Sequence, residues 1–327
     1  MDKIRWGIIS TGGIATAFAK AINHLDDAEI VAVGSRSQAS ADEFGDEHDI
    51  PNRYDSYEAL VNDPDVDVVY IGTPHTFHYD NMKLALNAGK HVLCEKAFTI
   101  NAEEAQECIA LAREKNLFLM EAMWMYFIPA IVKLRELLAD GIIGDVLMVQ
   151  AHFNVSLNLD PKARIMNPEL GGGALLDVGI YPISFARMVL GLPDTVHSHV
   201  QLGKTGVDVQ AGLLFAYDGG KSALLSMGVH SDMPTNAIIK GTKGYIEVKP
   251  NFWHPTELSI HVAGDAARTL EIGYESTGLN YEAQEVHNCI RAGKTESDIM
   301  PLDLSLKTMQ LMDTLRDDWG VRYPNDK

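Results

Sequence analysis

The first 122 residues alternate short apolar, β-branched segments with helix-like segments, and this rhythm constrains the fold more than any other feature. Parallel strands need a long crossover connection, which is usually a helix, so the alternation predicts a parallel, doubly wound sheet. We therefore predict an α/β domain over residues 1–122. The predicted strands are 4–10, 29–34, 67–72, 91–95 and 117–120, with helices at 13–24, 37–46, 76–88 and 101–115.

The pattern changes after this point, and strands follow one another without intervening helices between residues 195 and 262. Consecutive alternating strands are typical of an antiparallel sheet. We therefore predict a second, α+β domain over residues 123–327, and the chain length of 327 residues fits two cores. Its predicted elements are helices at 127–139, 173–190, 280–292 and 303–319, and strands at 145–155, 207–215 and 222–227.

Charge and composition exclude several classes of partner. The formal net charge is −18, which repels phosphate backbones and argues against nucleic acid. The sequence shows no uninterrupted apolar run long enough for a membrane span and no signal-peptide pattern, so no membrane association is expected. Three cysteines without a CxxC spacing, Cys94, Cys108 and Cys289, favour the reducing cytoplasm.

A glycine-rich turn follows the first predicted strand. It matches the dinucleotide fingerprint G-x-G-x-x-G/A, with serine at the first position. Gly12 would let the backbone approach a pyrophosphate, Ala15 would permit close helix–sheet packing, and the helix N-terminus would supply free N–H groups. The turn therefore predicts a Rossmann-type dinucleotide site, and its residues are Ser10, Thr11, Gly12, Gly13, Ile14 and Ala15.

The end of the second predicted strand indicates which dinucleotide is preferred. Enzymes that use NAD usually carry an acidic residue there for the ribose hydroxyls, whereas this chain has Ser35 and Arg36. A guanidinium and serine hydroxyls would hold a 2′-phosphate, so we predict NADP. The alternative is that Arg36 is a solvated surface charge and that NAD binds as well.

Two further segments carry residues suited to catalysis. Lys96 follows the fourth predicted strand, at the sheet edge where doubly wound folds bind ligands. Asp177 and Tyr181 are four residues apart on a predicted helix that follows three glycines, so they share a face. A tyrosine hydroxyl can act as a proton donor. Each residue alone also has a structural interpretation, as a surface lysine, a helix-start acid or a half-buried tyrosine.

Together these motifs resemble the glucose-fructose oxidoreductase / inositol dehydrogenase (Gfo/Idh/MocA) family over essentially the whole chain. Within it, the chain is most similar to the dimeric dihydrodiol dehydrogenase / D-xylose dehydrogenase branch. Most members have proline after the Glu-Lys pair, where this chain has Ala97. The matching segments are residues 7–15, Gly72-Thr73-Pro74-His75 with His78, Glu95-Lys96, 119–124, 171–181, 300–302 and 320–324.

The resemblance implies a Rossmann domain followed by a large, mostly antiparallel, open-faced sheet that often forms a homodimer or homotetramer. It implies hydride transfer between NADP and a carbinol or carbonyl carbon of a sugar, polyol or diol. Tyr181 would be the general acid/base, with Lys96 beside the reacting oxygen and Asp177 orienting substrate or lysine. Residues implied to line the cofactor are Thr73, Pro74, His75, His78, Glu95 and Lys96; Trp124 and Phe153 would form aromatic walls for the substrate.

Other functions stay open at this stage. A catalytically silent NADP-binding sensor on the same fold is one, and an inositol, amino-sugar or biliverdin-type reductase is another. No metal site is expected, because the pairs His75/His78 and His197/His199 lack completing ligands nearby. Substrate choice would depend on the loops at residues 154–168 and 274–281.

Overall fold

The computed structural model describes residues 2–326 of the chain, which form two compact units. The first contains the residues up to Trp124 together with Glu275–Leu311. The second contains Met125–Tyr274 and the residues from Met312 onward. The sequence analysis placed everything after residue 122 in the second domain, so the return of the segment Glu275–Leu311 to the first unit is a difference.

The first unit is built on a parallel sheet of six strands in the order β3-β2-β1-β4-β5-β6. The strand order reverses between β1 and β4, and this is the position where doubly wound sheets bind ligands at their carboxyl ends. The sheet confirms the predicted α/β fold. Its strands are β1 (Ile4–Ile9), β2 (Ala28–Gly34), β3 (Asn52–Tyr54), β4 (Val68–Ile71), β5 (His91–Glu95) and β6 (Leu119–Ala122).

The second unit is built on a sheet of eight strands in the order β14-β13-β12-β11-β7-β10-β9-β8. The pairing of β7 with β10 is parallel, and the other pairings are antiparallel. This confirms the predicted mostly antiparallel sheet. The strands are β7 (Val146–Asn154), β8 (Thr195–Leu202), β9 (Asp208–Tyr217), β10 (Lys221–Gly228), β11 (Ala237–Gly241), β12 (Gly244–Val248), β13 (Glu257–Val262) and β14 (Arg268–Glu271).

The α-helices agree with the predicted positions except for one short helix, α3, that the sequence did not reveal. It has five residues and follows a three-residue edge strand, so neither element carries a measurable periodicity. The helices are α1 (Gly13–Ile22), α2 (Gln38–His48), α3 (Tyr57–Val61), α4 (His78–Asn87), α5 (Ala102–Lys115), α6 (Pro129–Ala139), α7 (Ile180–Leu190), α8 (Asn280–Arg291) and α9 (Leu302–Trp319).

Helix α8 explains why the late segment joins the first unit. Its buried face includes Val286 and His287. The indole N–H of Trp6, on β1, donates a hydrogen bond of 3.0 Å to Nε2 of His287. The opposite ring nitrogen of His287 lies 3.1 Å from Asp27, just before β2. These contacts are more than 250 residues apart in sequence, so no local pattern could reveal them.

The helix predicted at 173–190 begins with a π-helical turn, Leu175–Gly179, and continues as α7. A Cβ added to Gly179 would lie 1.9 Å from Sδ of Met227 on β10. The glycine is therefore required for close packing of helix on sheet. The stretch Pro168–Leu190 is long and apolar enough to cross a membrane by length and composition alone, but 78% of its most apolar window is buried inside the protein.

Candidate active site

The predicted phosphate cradle, residues 10–15, begins at the carboxyl end of β1 and runs into the first turn of α1. Ser10 has φ 128°, a backbone conformation that favours glycine, and its hydroxyl accepts a hydrogen bond of 3.2 Å from the Gly12 N–H. Serine therefore occupies a position where glycine would be unstrained. The side-chain bond to Gly12 holds the turn in place.

The N-terminus of α1 is suited to an anion. Gly12 caps the helix without any side-chain hydrogen bond, and the first turn carries no acidic residue. A Cβ on Gly13 would meet nothing within 4 Å among the described residues, so the backbone is accessible to a ligand. Open N–H groups at a positive dipole end bind pyrophosphate, and this arrangement fits the predicted dinucleotide.

The end of β2 presents Arg36 to solvent. Ser35 is buried and its N–H donates to the Tyr54 carbonyl, while Ser37 accepts a bond from the Ser40 N–H and caps α2. Burial raises the pKa of Tyr57, and the positive charge of Arg36 partly opposes this rise. Tyr57 therefore lies near Arg36, and the sequence analysis did not single it out because its helix was not predicted.

The loop after β4 approaches the cradle closely. A Cβ on Gly72 would lie 3.0 Å from the Tyr70 ring and 3.3 Å from Ile14, so only glycine fits without displacement. Pro74 is half-buried and the His75 side chain is buried, in the loop predicted to line the cofactor. Asn81 fixes this loop by donating a hydrogen bond of 3.1 Å to Oγ1 of Thr73.

His78 joins two loops at this edge of the sheet. It is fully buried, with Nε2 2.8 Å from the Thr73 carbonyl and Nδ1 2.9 Å from the Ala97 carbonyl. A neutral imidazole donates through only one nitrogen, so both contacts are hydrogen bonds only in the charged form. Burial lowers the pKa of His78, and the facing carbonyls oppose that shift. Both ring nitrogens thus face protein backbone, and direct contact with a cofactor stays a prediction.

Lys96 follows β5 directly and is half-buried, and the peptide bond between Lys96 and Ala97 is cis. The preceding Glu95 is buried, and its carboxylate accepts bonds from the Tyr70 hydroxyl (2.6 Å) and from the Lys96 N–H (3.2 Å). Burial raises the pKa of Glu95, and the positive charge of Lys96 opposes this shift. Glu95 thus orients the strand end that carries Lys96, and its predicted contact with the cofactor is untested.

A second buried acid lies in the same unit, on α8, and the sequence analysis missed it. Glu282 is fully buried, and neither carboxylate oxygen has a hydrogen-bond partner among residues 2–326. Burial raises the pKa of Glu282 well above its usual range, and the negative charge of Glu95 raises it further. Ionisation of Glu282 is therefore disfavoured by Glu95, the last residue of the strand that leads to Lys96.

In the second unit, Tyr181 packs within an aromatic cluster. Its ring centroid lies 5.6 Å from that of Phe153 and 5.9 Å from that of Trp253. Phe153 and Trp253 stack on each other at 3.8 Å with an interplanar angle of 11°. The cluster forms an aromatic wall beside the tyrosine. Phe153 was predicted, whereas Trp253 was not, because it lies in a turn far along the chain with no local signal. Trp124, the other predicted wall, is half-buried and belongs to the first unit.

Asp177 precedes Tyr181 by one helical turn and is paired with Arg164. Nη2 of Arg164 donates to both carboxylate oxygens, at 3.0 and 2.9 Å. The sequence analysis predicted that Asp177 orients substrate or lysine but did not identify Arg164. The loop that carries Arg164 packs tightly against the glycines before the helix. A Cβ on Gly172 would lie 2.7 Å from the carbonyl oxygens of Arg164 and Ile165, so protein backbone leaves no room for a side chain there.

The start of this helix is held by a buried acid at the beginning of β9. Asp208 accepts a hydrogen bond of 2.6 Å from the Leu175 N–H, and its Oδ1 would lie 2.5 Å from a Cβ on Gly173. Burial raises the pKa of Asp208 to about 6, and the charge of Arg316 only partly opposes it. Among residues 2–326, no group of three or more His, Cys, Asp or Glu side chains could hold a metal ion.

Comparison with known proteins agrees with this geometry. Residues 4–123 match the model of the GFO/IDH/MocA oxidoreductase family with an NAD-binding Rossmann fold, and residues 131–247 match that family's C-terminal domain. The chain belongs to the GFO/IDH/MocA family. The resemblance identified from sequence is confirmed, and the protein is an NAD(P)-dependent oxidoreductase.

Relatives match over nearly the full length. Trans-1,2-dihydrobenzene-1,2-diol dehydrogenase of Xenopus tropicalis is 39% identical over 332 residues, covering 98% of this chain and 99% of the relative. The enzyme of that name from Homo sapiens is 38% identical over 333 residues, with 99% of both chains covered.

Solved structures share the fold. A 3-ketoreductase from Actinomadura kijaniata, solved with NADP and TDP-benzene, has a TM-score of 0.86 and 26% identity, with 97% of this chain and 98% of that chain covered. An aldose-aldose oxidoreductase from Caulobacter crescentus, solved with glycerol, has a TM-score of 0.88 at 23% identity, again covering 97% and 98%. The second likeness concerns the fold alone.

Proposed function

We propose that this enzyme is an NADP-dependent dehydrogenase that oxidises one carbinol carbon of a trans-dihydrodiol or a related cyclic sugar or polyol. The observation that carries the substrate class is the aromatic wall of Phe153 and Trp253 beside Tyr181. Flat aromatic faces pack against ring-shaped substrates. The dihydrodiol dehydrogenases that match the full chain support the same class.

NADP fits the residues of the first unit. The N-terminus of α1 would hold the pyrophosphate, and Arg36 beside Tyr57 would hold the 2′-phosphate and the adenosine end. No acidic residue follows β2 to repel that phosphate. When bound, the nicotinamide supplies the hydride acceptor or donor. The chain's own residues have to bind and orient both reactants and handle the proton.

Tyr181 is the residue we assign to proton transfer. It is almost fully buried, so its hydroxyl operates away from bulk water. The deprotonated phenolate oxygen accepts the alcohol proton during oxidation, and the resulting hydroxyl returns it during reduction. The role predicted for Lys96, assistance of this transfer by its positive charge, remains a prediction.

We also propose that the enzyme is a homodimer assembled through the open face of the eight-stranded sheet. Leu214 on β9 and Leu224 on β10 are paired in register and each is 38% exposed, and Tyr245 on β12 of the same sheet is 40% exposed. Exposed apolar side chains on the open face of a sheet favour association. Leu224→Arg should convert the dimer to a monomer, as measured by light scattering. The cytoplasmic location that we propose rests on three free cysteines.

The test of the proposed activity is a turnover screen with the purified protein. NADP⁺ reduction is followed with a trans-dihydrodiol, with D-xylose and with an inositol, each repeated with NAD⁺. The proposal expects turnover of the dihydrodiol and a clear preference for NADP⁺. Binding of NADPH with no turnover of any carbinol substrate would support a sensor instead. Turnover of inositol alone would keep the proposed chemistry and make a cyclic polyol, not a dihydrodiol, the substrate.

A further inference from the structure

In the ion pair of Arg164 with Asp177, only one of the three guanidinium nitrogens donates hydrogen bonds to the carboxylate. Both of its bonds to Asp177 come from Nη2, while Nε and Nη1 donate to no residue among those the structure describes. The Arg164 side chain is 45% exposed, and that of Asp177 is 17% exposed. Arginine carries a planar fork of N–H donors, so the remaining donors are available to a ligand.

Both the backbone and the side chain of Arg164 are held in place. The backbone packs against Gly172, where an added Cβ would lie 2.7 Å from the carbonyl oxygen of Arg164. The Gly173 N–H donates a bond of 2.8 Å to the carbonyl of Ile165, the next residue. The Asp177 carboxylate then orients the side chain. A donor held in this way loses little conformational entropy when it binds a ligand.

A purely structural role for the pair explains little. Half-exposed ion pairs contribute roughly 0–1 kcal/mol, because solvent screens the charges and long side chains lose entropy. The location of the pair is more informative. Asp177 and Tyr181 are four residues apart on one helical segment, so Arg164 is paired with the residue one helical turn before the tyrosine that we assign to proton transfer.

We propose that Arg164 is a specificity-determining residue that recognises the second oxygen of a vicinal diol, the hydroxyl that is not oxidised. This inference rests on the proposed function of the same site. Tyr181 exchanges the proton of the reacting hydroxyl, and Nε and Nη1 of Arg164 donate hydrogen bonds to its neighbour. A substrate with two adjacent oxygens is thereby distinguished from a simple cyclic alcohol of the same shape.

The test compares two substrates in the full-length enzyme, a trans-dihydrodiol and cyclohexenol, its monohydroxy ring analogue. Arg164→Met should lower kcat/KM for the diol by about 10- to 100-fold, the effect of losing hydrogen bonds from a charged donor. The loss should appear mainly in KM, because the second hydroxyl is bound equally in ground and transition states. Cyclohexenol should change by less than about 3-fold, because it makes no such bond.

Lys204→Met is the control, because it removes an exposed positive charge from the turn between β8 and β9 of the same unit. It should leave both substrates unchanged. Arg164→Lys keeps the charge without the fork and should recover only part of the diol activity. Equal losses for diol and cyclohexenol would overturn the inference, since Arg164 would then act through the helix; so would no loss for either. A wild-type enzyme that oxidises neither substrate refutes the dihydrodiol activity on which this inference rests, and this result is seen without any substitution.

Discussion

The buried carboxyl of Asp208 should make the stability of the protein depend on pH. Its native pKa is about 6 against an ordinary value of 3.8, because it is fully buried beneath the helix that carries Tyr181. The native state therefore binds a proton more tightly than the unfolded state. One pKa unit corresponds to about 1.4 kcal/mol, so a rise of about two units makes a difference of about 3 kcal/mol.

The sign follows from proton linkage. Between about pH 4 and pH 6 the native Asp208 still holds a proton that the unfolded chain has released, so stability falls as pH rises. Above pH 6 both states are ionised and this dependence ends. Asp208→Asn is neutral throughout and still accepts the Leu175 N–H bond through its amide oxygen. The free energy of unfolding of the variant, minus that of wild type, should therefore rise by about 3 kcal/mol between pH 4 and pH 7.

The assay is urea unfolding at several pH values, followed by fluorescence; Trp253 and Trp319 both lie in the second unit. The quantity to compare is the free energy of unfolding of the variant minus that of wild type. Asp265→Asn, in the exposed turn between β13 and β14, is the control and should show a constant difference. A constant difference for Asp208→Asn as well would mean that burial does not raise the pKa of this carboxyl.

Three further substitutions test separate parts of the molecule. Gly179→Ala should destabilise the protein by about 1–3 kcal/mol and lower Tm in a thermal scan, because its Cβ meets Met227; Met227→Ala in the same chain should relieve part of that loss. Glu282→Gln should become more stable than wild type as pH rises from 5 to 8 in urea titrations, because the native pKa of this acid is raised well above its usual range. Arg36→Ala should weaken NADPH binding by about 1.5–3 kcal/mol and NADH binding far less in fluorescence titrations; equal losses would remove the 2′-phosphate argument.

The sequence predicted those features that depend on neighbours in the chain. Strand periodicity located the parallel sheet, and the fingerprint located the turn between β1 and α1, because both patterns are local. The serine at the first position of the fingerprint is visible in the sequence, and the structure shows its effect as the positive φ of Ser10. The close contact of Gly179 with Met227 accounts for a glycine within the helix.

Features that depend on distant pairs were not predictable. Trp253 contacts Phe153 although the two are 100 positions apart, and the indole of Trp6 bonds to His287 from the opposite end of the chain. Arg164 carries no motif, and its partner Asp177 is identified only when the loop folds back on the glycines. Single-sequence patterns describe which residues are apolar, whereas these contacts depend on where the chain returns.

The most direct test of Tyr181 as the proton-transfer residue is the rate of NADP⁺ reduction with a trans-dihydrodiol, measured for the wild-type enzyme and for Tyr181→Phe. The substitution removes one hydroxyl and keeps the ring that packs against Phe153 and Trp253. We expect unchanged NADPH affinity and a loss of at least about 100-fold in kcat, the low end for a general acid/base. Full turnover by the variant would contradict the assignment of Tyr181 as the proton-transfer residue.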